Sequence, residues 1–385
     1  MSAPPPLRTD GSNEFARFSM QVRVPRIARD VLDRNPGYAS RIRGSIERLA
    51  VDIENDTLVP APRAPSPDVA DWTRAHAEHA RETWLAAEWF YAELAFYREL
   101  SHACRFWETG RDPFEPAKEE ELASERPWER LDVALSRRGS REERILALLD
   151  DGLWGNRVDL SYTVAASRAR ADGDLLVDER PTAVPRLSAP GAKVHVVADN
   201  IGAELALDLA LVDAILEDSA ARITLHVKMQ PVFVSDAITR DVWRLVERMR
   251  QRGGDARRLA ERLVTGFEAD RVALAPDPFW SGPRFLWEAP AHLRNELGSA
   301  TIVVLKGDAN YRRLVGDAPW PPSAPLSTAA GYVPVPLVCL RTMKSDPVLG
   351  LPAGLAERLD ASEPRWRIDG RRGVVQTYVP RTVAN

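Results

Sequence analysis

Lysine is nearly missing from this 385-residue chain: of 52 basic residues only Lys118, Lys193, Lys228, Lys306 and Lys344 are lysine. A coding bias toward arginine explains the ratio. Where such a bias has left a lysine standing, however, a compact ammonium can be demanded where a planar guanidinium would not fit. Lys228, Lys306 and Lys344 each fall at or just beyond an expected strand. Cysteine is scarcer still. Cys104 and Cys339 lie far apart, which excludes a disulfide framework and a thiolate zinc site and reads as two buried thiols in a reducing compartment. The six histidines are scattered, which argues against a histidine-rich metal site. No apolar run approaches the ~20 residues of a membrane helix, and MSAPPPLRTDGSNEF at the start lacks the apolar stretch of a signal peptide. A net charge of -4 exerts no pull toward nucleic acid or anionic membrane. The expectation is a soluble, cytoplasmic, globular protein with no nucleic-acid, membrane or obligate protein partner.

Motifs are missing too, and each absence removes a class. There is no GxxxxGK[ST] phosphate loop and no strand–GxGxxG–helix nucleotide turn. GxSxG, the usual hydrolase elbow, is absent. A haloacid-dehalogenase-type phosphatase would place a second aspartate two residues after Asp199, where this chain has Ile201.

What is present divides in two. Apolar residues at three- and four-residue spacing predict helices near 39–54, 69–105 and 117–150. The aromatic stripe in TWLAAEWFYAELAFYREL (83–100) reads as core, with Glu88 the one charge to watch. Pro-rich stretches at 59–67 and 180–190 read as loops. From residue 191 the pattern changes to short branched runs, VHVVA (194–198), RITLHV (222–227), TIVVLK (301–306) and VPLVCL (335–340), which predict strands. Helices fit between them at 201–217, 240–251, 255–266, 289–297 and 309–315. The first of these shows Leu205, Leu209, Val212 and Leu216 on one face. The expected fold is α/β: an N-terminal helical subdomain (1–185) and a mainly parallel three-layer α/β/α domain (186–385), working as one unit. The Pro/Ala-rich segment 320–334 is a candidate mobile lid.

Such a sheet binds its ligands beyond the carboxyl ends of its strands. The first expected strand delivers Asp199 and Asn200, and the second leads through Lys228 to Ser235 and Asp236. A later strand delivers Lys306, Asp308, Asn310, Tyr311 and Arg312, and the last Arg341, Thr342 and Lys344. Asp199, Asp236 and Asp308 could each be a helix N-cap. Caps alone, though, would not bring two lysines and two arginines to the same edge. Asp199, Asn200 and Asp236 are hard oxygen ligands suited to Mg²⁺ or Mn²⁺, with Co²⁺ or Ni²⁺ accessible in vitro. Lys306, Arg312, Arg341 and Lys344 are cations for an oxyanion, which together suits phosphoryl chemistry.

The ordered set ADNIGAEL, VKMQPVFVSDA, KGDANYRRLVGD and RTMKSD resembles the metal-dependent damage-control phosphatase family, long filed as a domain of unknown function. Within it the chain is similar to the RTxK-motif subgroup, which includes proteins described as acidic-residue methyltransferases. WLAAEWFYAELAFYREL, DPFEPAK (112–118) and LWGNRVDLS (153–161) extend the likeness upstream, to roughly residues 20–350. The resemblance implies Asp199, Asn200 and Asp236 as metal ligands and catalytic groups with Lys344. It implies substrate contacts at Glu204, Asp308 to Arg312 and Lys344, with Glu204 at a position assigned to S-adenosylmethionine. It also implies sugar-phosphate hydrolysis, fructose 1-phosphate or fructose 6-phosphate being favoured, in metabolite damage control. Asn156 and Asp159 are expected to face the same cleft. Two alternatives are an S-adenosylmethionine-dependent protein-glutamate carboxyl methyltransferase and a non-enzymatic phosphate-metabolite binding protein. The missing glycine-rich methyl-donor loop weighs against the first.

Overall fold

The computed structural model describes residues 3–155 and 173–381. Among them seven strands form one sheet: β1 (Leu175–Asp178), β2 (Lys193–Val197), β3 (Arg222–Lys228), β4 (Val272–Asp277), β5 (Ile302–Lys306), β6 (Leu337–Thr342) and β7 (Gly373–Tyr378). The spatial order is β1-β7-β6-β5-β2-β3-β4, parallel throughout except where β7 runs antiparallel to β6. The chain leaves β2 toward β3 on one side and returns to β5 on the other, so the winding reverses between β2 and β5. At such a switch point the loops beyond the strands part and leave a crevice.

The four expected strands are β2, β3, β5 and β6, and the expected α/β fold with a mainly parallel sheet is the one observed. The three unexpected strands are β1 and β4, at the two edges, and β7, next to β1. β4 (VALAPD) carries a proline, which an edge tolerates because its N–H side need not pair. Residues 180–190, expected as loop, contain the helix Arg180–Leu187. Pro181 stands in its first turn, where no intrahelical N–H is needed. The expected boundary at residue 186 falls inside this helix, and β1 precedes it.

Side chains alternate across the sheet as the two-residue period of a strand requires. Val194, Val196, Leu225, Val227, Ile302 and Val304 point to one face, with the helices Ala203–Leu216 and Gly254–Glu268 over them. Val197, Val303, Leu305, Leu337 and Cys339 point to the other, under the helices Ala291–Gly298 and Gly307–Val315. The helix Ala203–Leu216 is buried on nearly every side, beyond the single face expected, because Arg126–Ser136 and Arg141–Gly155 pack across its back. A helix apolar all round needs such cover. The 320–334 segment is also packed: Ala324, Leu326, Ala329, Ala330 and Val333 join the core of the second face.

The N-terminal helices close over the carboxyl ends of the strands with a core rich in Trp84, Trp89, Phe90, Tyr91, Phe96 and Tyr97, as the aromatic stripe predicted. Cys104 and Cys339 are buried free thiols. Among the described residues no helix is long and apolar enough to cross a membrane.

Candidate functional site

β2 ends at Val197, and two residues later Asp199 and Asn200 meet the segment that follows β3. The Ile201 amide donates to the Ser235 carbonyl at 2.8 Å and the Ala237 amide to that of Asp199 at 2.8 Å. This pairs Asn200 with Asp236 in an isolated antiparallel bridge. To turn back this way the chain puts Phe233 and Val234 at φ 49° and 69°. A β-branched residue in the left-handed region is strained, a cost commonly stored at functional sites. The Ser235 hydroxyl donates to Asn200 Oδ1 at 2.5 Å, while Asn200 Nδ2 donates to Asp199 Oδ2 at 2.7 Å and Glu204 Oε2 at 3.2 Å. The carboxamide is therefore locked. None of the three aspartates caps a helix: Gly202, Ile238 and Lys306 hold the cap positions.

β5 contributes from the opposite side of the switch point. Gly307, at φ +82°, opens the helix Gly307–Val315 against Asp199; a Cβ there would stand 2.0 Å from Asp199 Oδ2. Asp308 and Arg312, one helical turn apart, share the face that lines the cleft with Asp199, Asn200, Asp236 and Lys344. Asn310 and Tyr311 do not reach it. Asn310 is buried against the Lys306 and Ala198 carbonyls and accepts from Lys228 Nζ. The Tyr311 hydroxyl accepts from the Leu349 amide.

Two expected oxyanion cations also lie elsewhere. Lys306 is fully buried, its amine 2.7 Å from Asp208 and 3.1 Å from Glu204, with a further bond to the Gly152 carbonyl at 3.0 Å. Glu204 thus stands behind Asn200 and orients it, and does not line the cleft. Arg341 spends its guanidinium on Asp308 Oδ1 at 2.7 Å, on Ser345 and on the Pro347 carbonyl, over the Tyr311 ring. It shapes the RTMKSD turn, which leaves Lys344 on the cleft and its amide donating to Asp308 Oδ1 at 3.2 Å. Desolvation favours both departures: Lys306 and Arg341, wholly buried, find carboxylates and carbonyls within the protein that offset the hydration they lose. Asn156 and Asp159 lie outside the described residues.

Sequence reasoning missed Arg23 and Glu93. Glu88, the charge to watch, is half-buried at the start of the helix Trp89–Ala103, among Arg8, His79, Glu82 and Glu288. Glu93, in the same helix, points into the cleft and pairs with Arg312 at 2.7 Å and, very closely, with Arg23. Arg23 closes a π-helical turn, Ser19–Arg23, a local distortion that often marks functional positions. That turn is not legible from side-chain periodicity.

Charge in the cleft is unbalanced locally. Burial, followed by the Asp236 and Glu204 carboxylates, pushes the Asp199 carboxyl well above the ordinary carboxylate range. Burial also lowers the Lys228 amine, although Asp236 lies 3.4 Å away and opposes this. Burial would raise Asp308 too, yet the Arg341 and Arg312 guanidiniums hold it below its usual range. Two aspartates and a carboxamide crowded at one wall, without thiol or imidazole, are a donor set that fits a hard divalent cation. The cavity they face holds about 40 Å³, room for about three waters or a group of phosphoryl size.

Residues 20–359 match the damage-control phosphatase ARMT1-like domain, and the chain belongs to that family. It is similar to damage-control phosphatase ARMT1 of Mus musculus, 30% identical over 76% of this chain and 74% of the relative. The Danio rerio protein of the same name is 26% identical over 99% of this chain and 98% of the relative. A DUF89-family protein from Pyrococcus horikoshii superposes with a TM-score of 0.47 at 15% identity, over 89% of this chain and 94% of that one.

Proposed function

We propose that the protein is a metal-dependent phosphomonoesterase acting on small sugar phosphates, fructose 1-phosphate or fructose 6-phosphate among them. The observation that carries the reading is the juxtaposition of Asp199, Asn200 and Asp236 with Lys344 and Arg312 across one small cavity. Asp199, Asn200 and Asp236 would hold the cation, and Ser235 and Glu204 fix the amide of Asn200 for that task. Manganese or magnesium suits such ligands, and when bound supplies Lewis-acid polarisation and charge neutralisation at the phosphoryl group.

The remaining work falls to the chain's own residues. The Lys344 ammonium faces the same cavity and offers a charge-assisted bond to a phosphoryl oxygen. Asp308, kept ionised by Arg341 and Arg312, accepts the Lys344 amide and holds the turn in register. Arg312 stiffens the wall through Glu93 and Asp317. The N-terminal helices cover the carboxyl ends of the strands and restrict water around the reacting group. Overall, water adds at phosphorus, the ester P–O bond breaks, and the sugar alcohol and inorganic phosphate leave.

Phosphate release from a panel of sugar phosphates, by chelator-treated protein with and without Mn²⁺, tests this reading. Turnover that appears only with the cation supports it. Turnover unaffected by thorough chelation, or none with any phosphomonoester, overturns it.

A further inference from the structure

His195 and His226 stand apart in the sequence, yet the register of the sheet brings them together. β2 pairs with β3 so that His195 faces Thr224 and Val197 faces His226. Both imidazoles point away from the Leu225 and Val227 face, toward the side covered by the helix Ala291–Gly298. His195 Nδ1 and His226 Nε2 lie 2.9 Å apart, and Trp280 stacks edge-on against His226. From the covering helix Glu296 presents its carboxylate, and one ligand atom from each of the three residues lies within 4.8 Å of the others.

We propose that His195, His226 and Glu296 form a second metal site, separate from the cleft, that takes a borderline divalent cation of the Zn²⁺ type. The donor set decides the class. Two neutral imidazoles and one carboxylate match zinc, cobalt or nickel, whereas the all-oxygen set of the cleft matches magnesium or manganese. Ligand atoms around tetrahedral zinc lie at ~2.0–2.2 Å from the ion. The two histidine nitrogens are already at nearly the mutual spacing this needs, and only Glu296, half-buried at the end of a flexible side chain, has to move in.

Two further observations agree. Burial keeps both imidazoles unprotonated, with His195 lowered to about 4 and His226 to about 3, so both rings offer lone pairs at neutral pH. The competing carboxylate nearby, Asp277, is already engaged by His292 at 2.6 Å and by the Phe279 amide at 2.8 Å, which leaves Glu296 as the third ligand and water as the fourth. On binding, the N–H proton shared between the two rings moves to the far nitrogen of its own ring, so that both rings stay neutral and both facing nitrogens bind the cation. The site lies about 13 Å along β2 from Asp199, four residues at ~3.3 Å each. Its effect is to clamp β2, β3 and the helix Ala291–Gly298, the strands whose far ends carry the cleft.

This inference does not rest on the phosphatase reading, and its test uses no turnover. The double variant Asp199→Asn/Asp236→Asn, freed of metal by dialysis against chelator, is titrated with Zn²⁺ calorimetrically and with Co²⁺ by visible absorption. We expect one equivalent of Zn²⁺ to bind, a rise in Tm on binding, and the intense absorption of four-coordinate cobalt. Glu296→Gln should weaken Zn²⁺ at least ~10-fold, the scale on which even outer contacts of a metal matter, and His195→Gln should abolish both the Tm rise and the cobalt band. Should the double variant fail to fold, the wild-type cobalt spectrum is compared with those of Glu296→Gln and His195→Gln. An absence of Zn²⁺ binding in the double variant, or a cobalt spectrum indifferent to both substitutions, overturns the proposal.

Discussion

Arg312 and Glu93, 219 residues apart in the chain, meet at 2.7 Å in the wall of the cleft. The same guanidinium bonds Asp317 through Nε at 2.7 Å and lies 3.9 Å from the Trp89 ring centroid. One buried arginine thus joins the N-terminal helices to the helix after β5. Removing it would strip Asp317 of its buried arginine partner and leave Glu93 to Arg23 alone. We expect Arg312→Ala to lose about 3–5 kcal/mol of unfolding free energy, read from urea denaturation. A loss under about 1 kcal/mol would mean that the two halves do not depend on this link.

Without metal, Asp199 should make stability fall as pH rises. Its folded carboxyl titrates well above the unfolded one, driven by burial and then by Asp236 and Glu204. Between the unfolded value and the raised folded value the native state binds the extra proton, so acidification within that window stabilises it. Asp308, held low, acts with the opposite sign and only at more acid pH. Thermal melts in EDTA should therefore show Tm climbing as pH drops from neutral toward the ordinary carboxylate range. The slope should shrink in Asp199→Asn and with saturating Mn²⁺, leaving the part that Asp208 and Asp317, raised by burial to about 6, contribute with the same sign. A flat profile in EDTA for the unaltered protein would contradict the assignment.

Lys344 should not accept arginine. It is 4% exposed and lines a small cavity, where a wider planar fork does not fit. We expect Lys344→Arg to lower kcat/KM by about ten-fold or more, roughly 1.4 kcal/mol at the transition state, and Lys344→Ala to lower it further. Lys193, exposed at the start of β2, is the control and should accept arginine silently. Equal silence at the two positions would remove Lys344 from the site.

Lys118 supports the cleft from behind. Its amine is buried, 2.9 Å from Asp112 and 2.7 Å from Asp241, and donates to the Asp236 carbonyl at 3.0 Å. Burial opposes its charge, but the two aspartates keep it protonated. Lys118→Met keeps the bulk and strands both carboxylates, so a loss of about 3–5 kcal/mol is expected. Mn²⁺ affinity, measured by calorimetry below the melting range, should fall as well because the Asp236 segment loses its anchor. Unchanged affinity in a folded variant would confine Lys118 to stability alone.

The sequence by itself determined the parallel strands and the edge at which the chemistry collects. Branched runs at β2, β3, β5 and β6 have a period that survives any packing, and parallel strands alternating with helices send their carboxyl ends the same way. Asp199, Asn200, Asp236, Asp308 and Lys344 were legible for that reason. In the KGDANYR segment the helical period pairs Asp308 with Arg312 but leaves Tyr311, three residues after Asp308, on a neighbouring position, so packing decided which of them reach the cleft. Three things were decided only in three dimensions. Lys306 and Arg341 became internal ties because Asp208, Glu204 and the RTMKSD turn reach them first, and desolvation forbids a half-paired buried charge. Glu93 and Arg23 replaced Glu88 because Glu88 stands at the N-cap of the helix Trp89–Ala103, outside the cleft, while Glu93 lies within that helix and a π-helical turn brings Arg23 to it. His195 and His226 met through the register of β2 on β3, a pairing that depends on which strands are neighbours, and that order is fixed by how the helices pack over both faces of the sheet.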